Sequence, residues 1–239
     1  MDFSNLTLVT PTKIDSAWSR EDMLGALRVR LSMGRIRYRV DPGLYKLGNP
    51  GKDSEVLVSA NYKLSFDVLR RNLEGVDAWI LVLQTYGINV WCAAGKGTFG
   101  SDELVRQIRD SQLQLYVSHK RLIVPQLGAP GVSGFKVKEA TGFSVKFGPV
   151  RAEDIKEYLS AGLKKNRDMR AVKFTMRDRF ILAPVEVVNS LKYLLYAVLV
   201  IAGISGIGPE GYSLAVLWQE GLPAIMYLLL AYVSGAFLA

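Results

Sequence analysis

The single cysteine of this 239-residue chain lies beside a glycine-rich turn, in the segment NVWCAAGKGTFGSDEL at 89 to 104. We predict that Cys92 ends a strand, INVWC at 88 to 92, and that a glycine-rich turn leads into a helix beginning at Ser101. A positive helix end and the nearby Lys96 would favour the thiolate form of Cys92. A thiolate can act as a nucleophile or as a soft metal ligand, whereas many free cysteines are simply buried.

Several chemistries are excluded or weakened by the rest of the sequence. One cysteine cannot form an internal disulfide, a four-cysteine zinc site or a cysteine-ligated iron–sulfur cluster. The one histidine, His119, lies in a separate basic stretch and is a poor candidate for a base acting on Cys92. Gly95, Gly97 and Gly100 fit the dinucleotide pattern GxGxxG, but no acidic residue follows about 20 positions later to hold a ribose. Lys96 is followed by Gly97, whereas a phosphate-binding loop requires serine or threonine after its lysine.

The elements around this segment predict an α/β fold, with a parallel sheet covered by helices on both faces. Such sheets bind ligands where their strands end, which here means 59–62, 91–92 and 125–128. An alternation of arginines with apolar residues predicts a half-exposed strand at Arg35, Arg37 and Arg39. We expect these arginines to form a solvated face and not to bind phosphates or lipid headgroups. The predicted buried strands are Val56 to Val58, Ala78 to Leu83, Leu122 to Val124 and Val145 to Phe147, with helices around Phe66 to Leu73, from Ser101, and after Pro149.

Two apolar segments, 191–207 and 212–239, are long enough to cross a bilayer, although a buried hairpin remains the alternative. Basic residues concentrate ahead of the first segment, which predicts a cytoplasmic soluble part and a multi-pass protein of the inner (cytoplasmic) membrane. We expect the net charge of +8 to favour contact with an anionic membrane surface, and we expect no nucleic-acid partner. Since the apolar run reaches the last residue, we expect a membrane domain with further helices. The basic residues are Lys164, Lys165, Arg167, Arg170, Lys173, Arg177, Arg179 and Lys192.

The segment NVWCAAGKGTFG resembles the signature of the HgcA family, the corrinoid proteins of microbial mercury methylation. Further stretches that resemble this family are RVRLSMGRIRYRVDPGLYKLGNP at 28–50, SANYKLSFD at 59–67 and LIVPQLGAPGV at 122–132. The related large subunit of the corrinoid iron–sulfur protein has an iron–sulfur domain and a barrel domain, and this chain lacks the cysteines and the length for them. The resemblance implies a Rossmann-like cobalamin-binding domain over 55–163. Around it we place a basic N-terminal region at 1–54 that packs on the core, a basic linker at 164–186 and a membrane domain at 187–239.

The resemblance also implies a function, a corrinoid-dependent methyltransferase. Cobalamin would bind base-off with the Cys92 thiolate as lower axial ligand of cobalt, and a strong thiolate donor would help the methyl group leave toward mercury(II). A folate-type donor would supply the methyl group, and a ferredoxin-like iron–sulfur partner (HgcB) the electrons. Two alternatives stay open: a membrane-tethered nucleotide-binding oxidoreductase and a non-catalytic corrinoid methyl carrier.

The implied cofactor contacts follow the cysteine motif and the neighbouring strand ends. Asn89 and Trp91 would shape the end of the cysteine strand, although Trp91 could equally be a core residue. Small residues after the cysteine would admit the corrin face, and the turn beyond them would bind its amide side chains. The remaining contacts rest on strand-end position together with the resemblance. The full set is Asn61, Asn89, Trp91, Cys92, Ala93, Ala94, Gly95, Lys96, Gly97, Thr98, Gln126, Gly128 and Gly131.

Overall fold

The computed structural model describes residues 9–238, with side chains up to residue 235, and divides into two compact units. Residues 1–8 of the predicted N-terminal region and Ala239 of the second predicted span lie outside the described residues. The first unit holds residues up to 26 and 34–172, and the second holds 27–33 and the chain from 173. The proposed division at 54, 163 and 186 stays a prediction.

The first unit is built on one six-stranded, mainly parallel sheet. Its strand order is β1-β2-β4-β3-β5-β6, and only the β2–β4 pair is antiparallel. The mixed α/β class predicted from the sequence is therefore confirmed. The strands are β1 (Thr12–Ile14), β2 (Gly43–Leu47), β3 (Val56–Ala60), β4 (Ala78–Leu83), β5 (Arg121–Val124) and β6 (Ser144–Phe147). The helices are α1 (Arg20–Arg30), which runs on into the second unit, α2 (Lys63–Asn72), α3 (Val90–Gly95), α4 (Ser101–Asp110), α5 (Gly134–Thr141) and α6 (Ile155–Ser160). Short 3-10 turns cover Arg35–Arg37, Leu113–Leu115, Gln126–Gly128, Ala152–Asp154 and Asp168–Arg170.

Two apolar cores lie on opposite faces of this sheet. Successive residues of β4 point to opposite faces, so Leu81 joins the core under α4 and α5, whereas Ile80 joins the core with Phe66 of α2 and Tyr158 of α6. All six residues of β4 are buried. Covered faces explain why these strands are continuous apolar runs without alternation.

Two predicted strands are wrong. The segment 35–40 begins with the 3-10 turn and meets the sheet only through one bridge between Arg39 and Tyr62. It passes the end of β3 and has no strand beside it to complete a ladder, so alternation alone does not make it a strand. The segment 88–92 is also not a strand, because the Asn89 side chain caps the first turn of α3.

The helix predicted from Ser101 is confirmed as α4, with Leu104 and Ile108 buried. The hydroxyl of Ser101 does not cap this helix. Gly100 occupies the N-cap position, and the Ser101 hydroxyl instead accepts a hydrogen bond from the backbone N–H of Ser133. This bond ties the start of α4 to the chain leading into α5.

The second unit contains two long apolar helical segments. Helix α7 (Met176–Ser205) starts with a capping box formed by Thr175 and Asp178, and a two-strand ribbon, β7 (Ile207–Gly208) and β8 (Gly211–Tyr212), follows it. The next segment runs from α8 (Leu214–Val216) through a π-helical turn (Leu217–Gly221) into α9 (Leu222–Leu238). Two helices, Met176–Ser205 and Leu214–Gly235, are long and apolar enough to cross a membrane by length and composition. The first starts 15 residues earlier than the apolar run at 191.

A buried ion-pair cluster fastens α1 to α2 within the first unit. Asp22 pairs with Lys63 and, at 2.6 Å, with Arg70, and Asp67 accepts from the same two cations at 2.7 and 2.8 Å. Burial raises the pKa of Asp22, but hydrogen bonds from Lys63, Ser19 and Arg70 outweigh it and hold that pKa below its ordinary value of 3.8. Such a network stabilises only while every charge keeps a partner.

We expect Asp22→Asn to lower the free energy of unfolding by about 3 kcal/mol, because Lys63 and Arg70 would share one remaining carboxylate. A carboxyl group with a lowered folded-state pKa contributes its stability above its unfolded-state pKa and loses it as the pH falls further. The difference between wild type and variant should therefore be constant above about pH 5 and shrink below about pH 4. Urea unfolding of the full chain from pH 3 to pH 7 measures it.

The matched control is Asp110→Asn, which removes a carboxylate from the exposed pair with Arg106. This variant should change the free energy of unfolding by less than about 0.5 kcal/mol. Equal losses for the two variants would contradict the role given to the buried cluster.

Candidate functional site

The candidate site lies at the carboxyl-terminal edge of the sheet, where β3, β4 and β5 end. Asn61 follows β3, the loop 84–89 and helix α3 follow β4, and the 3-10 turn Gln126–Gly128 follows β5. Helix α3 packs against that turn. The order β4-β3-β5 means that the chain after β4 crosses β3 to reach β5, and such crossovers open a crevice at this edge.

Cys92 lies on the first turn of α3 and is exposed. Its backbone N–H donates to Asn89 Oδ1 at 2.9 Å, and its carbonyl accepts from Lys96 N–H at 3.1 Å. Trp91 beside it is 61% exposed, so the alternative that Trp91 is a core residue is wrong. A thiol and an indole ring thus face outward together at the sheet edge.

Beneath α3, the small residues of the motif serve packing. Ala93 and Ala94 are buried, and the Ala93 carbonyl accepts from both Thr98 and Phe99 backbone N–H groups at 3.0 and 3.1 Å. These bonds fold the turn 95–99 back onto α3. Larger side chains at 93 or 94 would have to displace the core beneath the helix.

The glycines divide into open and close-packed positions. A Cβ added at Gly95 or Gly97 would have no heavy atom within 4 Å, and Gly97 has φ +78, a left-handed conformation that favours glycine. A Cβ at Gly131 would lie 2.1 Å from the Phe99 carbonyl oxygen, and one at Gly128 would lie 2.5 Å from the Phe99 ring. Gly128 and Gly131 therefore press the 126–131 turn against the cysteine motif, and only Gly95 and Gly97 leave backbone open to a ligand.

Asn61 organises the loop that leads to α3. The side chain is 1% exposed, and its Oδ1 accepts from the backbone N–H groups of Thr85 and Gly87 at 3.1 and 3.0 Å and from the Thr85 hydroxyl at 2.9 Å. Its Nδ2 donates to Gln84 Oε1 at 2.8 Å. With its polar atoms used inside the chain, Asn61 positions the loop instead of presenting a group to a ligand.

The sequence reading missed three residues that hold the site together. Glu103 of α4 accepts from the backbone N–H of Gln84 at 2.7 Å, and Phe99 fills the space between the motif and the 126–131 turn. Lys165 donates to Gln126 Oε1, so this predicted contact is fastened to the chain beyond α6. Burial and the nearby Arg170 lower the pKa of Lys165. Phe99 belonged to the recognised motif, but no sequence signal pointed to Lys165, which is 39 residues from Gln126.

The structure does not support two alternative chemistries, a histidine base that acts on Cys92 and a dinucleotide site at the glycine motif. His119 precedes β5, at the opposite edge of the sheet, where Nε2 lies 2.9 Å from the Ser54 carbonyl and Nδ1 accepts from Arg121 N–H. It holds two loops together there. Gly95 ends helix α3, and Gly97 and Gly100 follow that helix and not a strand, so the strand–turn–helix arrangement of a dinucleotide site is absent at this motif.

The donor set indicates which kind of metal centre these residues suit. Among the residues that the structure describes, no group of three or more His, Cys, Asp or Glu side chains could hold a metal ion. One exposed thiol is too few ligands for a bare ion. It does suit a soft metal that brings its remaining ligands in a macrocycle, and the open backbone at Gly95 and Gly97 leaves room for the face of such a group.

The first unit is thus an α/β domain with one exposed thiol at the ligand-binding edge of its sheet. Residues 26–159 match the family described as CO dehydrogenase/acetyl-CoA synthase delta subunit, and the chain belongs to this family. The match includes the cysteine motif and all strands from β2 to β6.

Curated relatives carry a related description. The chain is 33% identical over 122 residues to the acetyl-CoA decarbonylase/synthase complex subunit gamma of Methanopyrus kandleri. This match covers 50% of this chain and 26% of that protein. The subunit of the same name from Archaeoglobus fulgidus is 30% identical over 127 residues, covering 52% of this chain and 27% of that protein. The chain thus spans about a quarter of the length of these relatives.

We expect Asn61→Ala to destabilise the first unit by about 3 kcal/mol, because buried N–H groups of the 84–89 loop would lose their acceptor. The loop should also exchange its amide hydrogens faster, which mass spectrometry of the full chain measures. Asn72→Ala is the matched control, since Asn72 only donates to the Val68 carbonyl one turn earlier in α2. Unchanged protection of residues 84–89 in Asn61→Ala would contradict the positioning role.

Proposed function

We propose that this protein is a membrane-anchored, corrinoid-dependent methyltransferase that methylates mercury(II). The single observation that carries the proposal is the position of Cys92, the only thiol of the chain, exposed on α3 at the edge where α/β sheets bind ligands. The family membership and the resemblance of the motif NVWCAAGKGTFG to HgcA support it.

In this proposal the chain holds a base-off cobalamin through the Cys92 sulfur. A bound corrinoid would supply a cobalt centre that accepts a methyl group from a folate-type donor and passes it on. Asn89 fixes the turn that presents the sulfur, and Gly95 and Gly97 leave the adjacent backbone open. A thiolate at Cys92 would donate electron density strongly to such a metal and would so favour transfer of a methyl group with its electron pair. Mercury(II), a soft electrophile, is a fitting acceptor for that group.

Reconstitution with cobalamin tests the proposed ligand. The wild-type chain should give the ultraviolet–visible spectrum of a base-off, thiolate-ligated cobalt, and Cys92→Ala should lose that spectrum because it removes the one thiol in the sequence. Cys92→His should show a nitrogen-ligated spectrum instead. Asn72→Ala, in the middle of the first unit but away from the motif, should leave the spectrum unchanged.

Turnover then separates the alternatives. With a low-potential reductant and a methyl donor, wild type should produce methylmercury from mercury(II), and Cys92→Ala should lose at least about 100-fold of this rate, the scale of removing a group that acts only in the transition state. A protein that binds cobalamin through Cys92 but never transfers methyl to mercury would be the carrier. Nicotinamide binding without cobalamin binding would establish the oxidoreductase instead.

The membrane location is part of the proposal. It is supported by the two apolar helices and by the high exposure of their large apolar side chains, such as Tyr193, Leu199 and Tyr227 at 63%, 59% and 74%. The excess of lysine and arginine ahead of the first span supports a cytoplasmic first unit, and the turn 206–213 between the helices would then lie on the far side.

A labelling experiment on intact cells tests this orientation. In a cysteine-free Cys92→Ser background, a membrane-impermeant maleimide should label Glu210→Cys and should not label Ser160→Cys until the cells are lysed. The Cys92→Ser chain alone is the control for background. Labelling of Ser160→Cys in intact cells would reverse the orientation, and release of the chain by alkaline carbonate would contradict membrane insertion.

A further inference from the structure

Helix α1 carries apolar side chains on two different faces. Ala26 and Val29 are buried on one face. Met23, Leu24 and Leu27 lie at helical spacing on the other face, and their side chains are 52%, 55% and 55% exposed. A helix that is apolar all round is typically buried, and large apolar side chains on a surface are normally scattered singly. This outward stripe is therefore a surface that something outside the chain covers.

Two arginines border this outward stripe. At about 100° per residue around the helix, Arg28 lies on one side of the stripe and Arg30 on the other. The Arg28 side chain is exposed, and that of Arg30 is half-buried. Guanidinium groups stay protonated and form paired hydrogen bonds with phosphate oxygens. An apolar stripe between arginines is the arrangement found in helices that lie in a membrane surface.

The turn after α1 contacts the first apolar helix within the second unit. The Ser32 hydroxyl donates to Asn189 Oδ1 of α7 at 2.7 Å. Asn189 precedes the last residue of α7, Ser205, by 16 residues. At about 1.5 Å per residue this is about 24 Å of a hydrocarbon core about 30 Å thick. With the turn 206–213 on the far side of the membrane, Asn189 lies near the cytoplasmic boundary.

Other side chains at the same level of the two apolar helices agree with this boundary. The Tyr232 hydroxyl of α9 donates to the Val187 carbonyl at 2.6 Å and lies 2.9 Å from the Ser190 hydroxyl. The Lys192 ammonium group lies 4.8 Å from the centre of the Tyr193 ring. Tyrosines, and lysines whose ammonium groups reach out of the apolar core, are typical of the membrane–water interface. Helix α1 thus ends where α7 enters the bilayer.

We propose that the outward stripe of α1 lies in the cytoplasmic surface of an anionic phospholipid bilayer. Met23, Leu24 and Leu27 enter the boundary between headgroups and acyl chains, and Arg28 and Arg30 bind lipid phosphates. The position of the helix end at the boundary and the two cationic borders favour lipid over a protein as the covering surface. This proposal rests on the membrane location in the proposed function and goes beyond it, because it assigns a lipid contact to a helix that precedes both spans.

Nitroxide labels on the full chain in lipid nanodiscs test this contact. In a Cys92→Ser background, Leu24→Cys and Leu27→Cys are labelled, and electron paramagnetic resonance measures their collisions with oxygen, which concentrates in lipid, and with a water-soluble nickel chelate. In discs that contain phosphatidylglycerol, both labels should lie roughly 5–10 Å into the interface, with an oxygen-to-nickel collision ratio at least about threefold above the control. Phe135→Cys on α5 is the matched control, since Phe135 is an apolar side chain with 76% exposure.

Removing the two arginine charges tests the role of anionic headgroups. With Arg28→Gln and Arg30→Gln together, the collision ratio of the Leu24→Cys label should fall to the value measured in discs of phosphatidylcholine alone. The matched control is Lys136→Gln with Lys138→Gln, which removes two exposed charges at the same spacing on α5 and should leave the ratio unchanged. A ratio that ignores both the arginine variant and the lipid charge would overturn the anionic bilayer as the occupant.

A Leu199→Cys label in the first span separates this proposal from the membrane location. Leu199 is 59% exposed on α7, so its label should collide with oxygen and not with the nickel chelate. If it does, while the labels at Leu24 and Leu27 meet nickel as readily as the label at Phe135, the α1 contact is overturned and the membrane location stands. Nickel access to the Leu199 label would refute the membrane location itself. Low collision of the α1 labels with both reagents would show a protein cover and overturn the lipid contact.

Discussion

The site depends on one buried amide. Asn61 follows β3, and its side chain accepts three hydrogen bonds and donates one to the loop that follows β4. This loop leads into the helix that carries Cys92. A buried side chain with all of its polar atoms satisfied holds one geometry, because any other arrangement would leave polar groups unpaired in the core. The exposed thiol therefore lies on a helix whose preceding loop is held in one geometry.

Backbone packing on the other side of the motif completes this support. Phe99 lies between the cysteine motif and the turn after β5, and Gly128 and Gly131 bring that turn so close that no Cβ would fit. The missing side chains of Gly128 and Gly131 allow close packing within the protein. The missing side chains of Gly95 and Gly97 instead leave the backbone open to a ligand from outside. Glycine thus has two opposite uses at this site, and the space around an added Cβ distinguishes them.

The electrostatics of the first unit follow a similar division. Buried charges, such as Asp22 and Arg70, have partners and hold α1 on α2. Among the described residues, the exposed Arg35, Arg37 and Arg39 beside the site have no carboxylate partner. They lie with exposed apolar side chains around the loop that Asn61 fixes. The loop 84–89 thereby connects the core of the sheet to the helix that carries the thiol.

The sequence by itself determined the fold class, the strands β3, β4, β5 and β6 and the two apolar helices, because strong apolar patterns are local signals. A rare residue type drew attention to the cysteine motif, whose role stays a prediction. Tertiary structure decided the rest. The segments 35–40 and 88–92 carry strand-like patterns, but a strand needs a neighbour to complete its hydrogen bonds, and neither segment lies beside one. Likewise, the type of Asn61, Gly128 or Gly131 cannot tell a ligand contact from a packing contact, since that depends on atoms distant in the sequence that only the folded chain brings together.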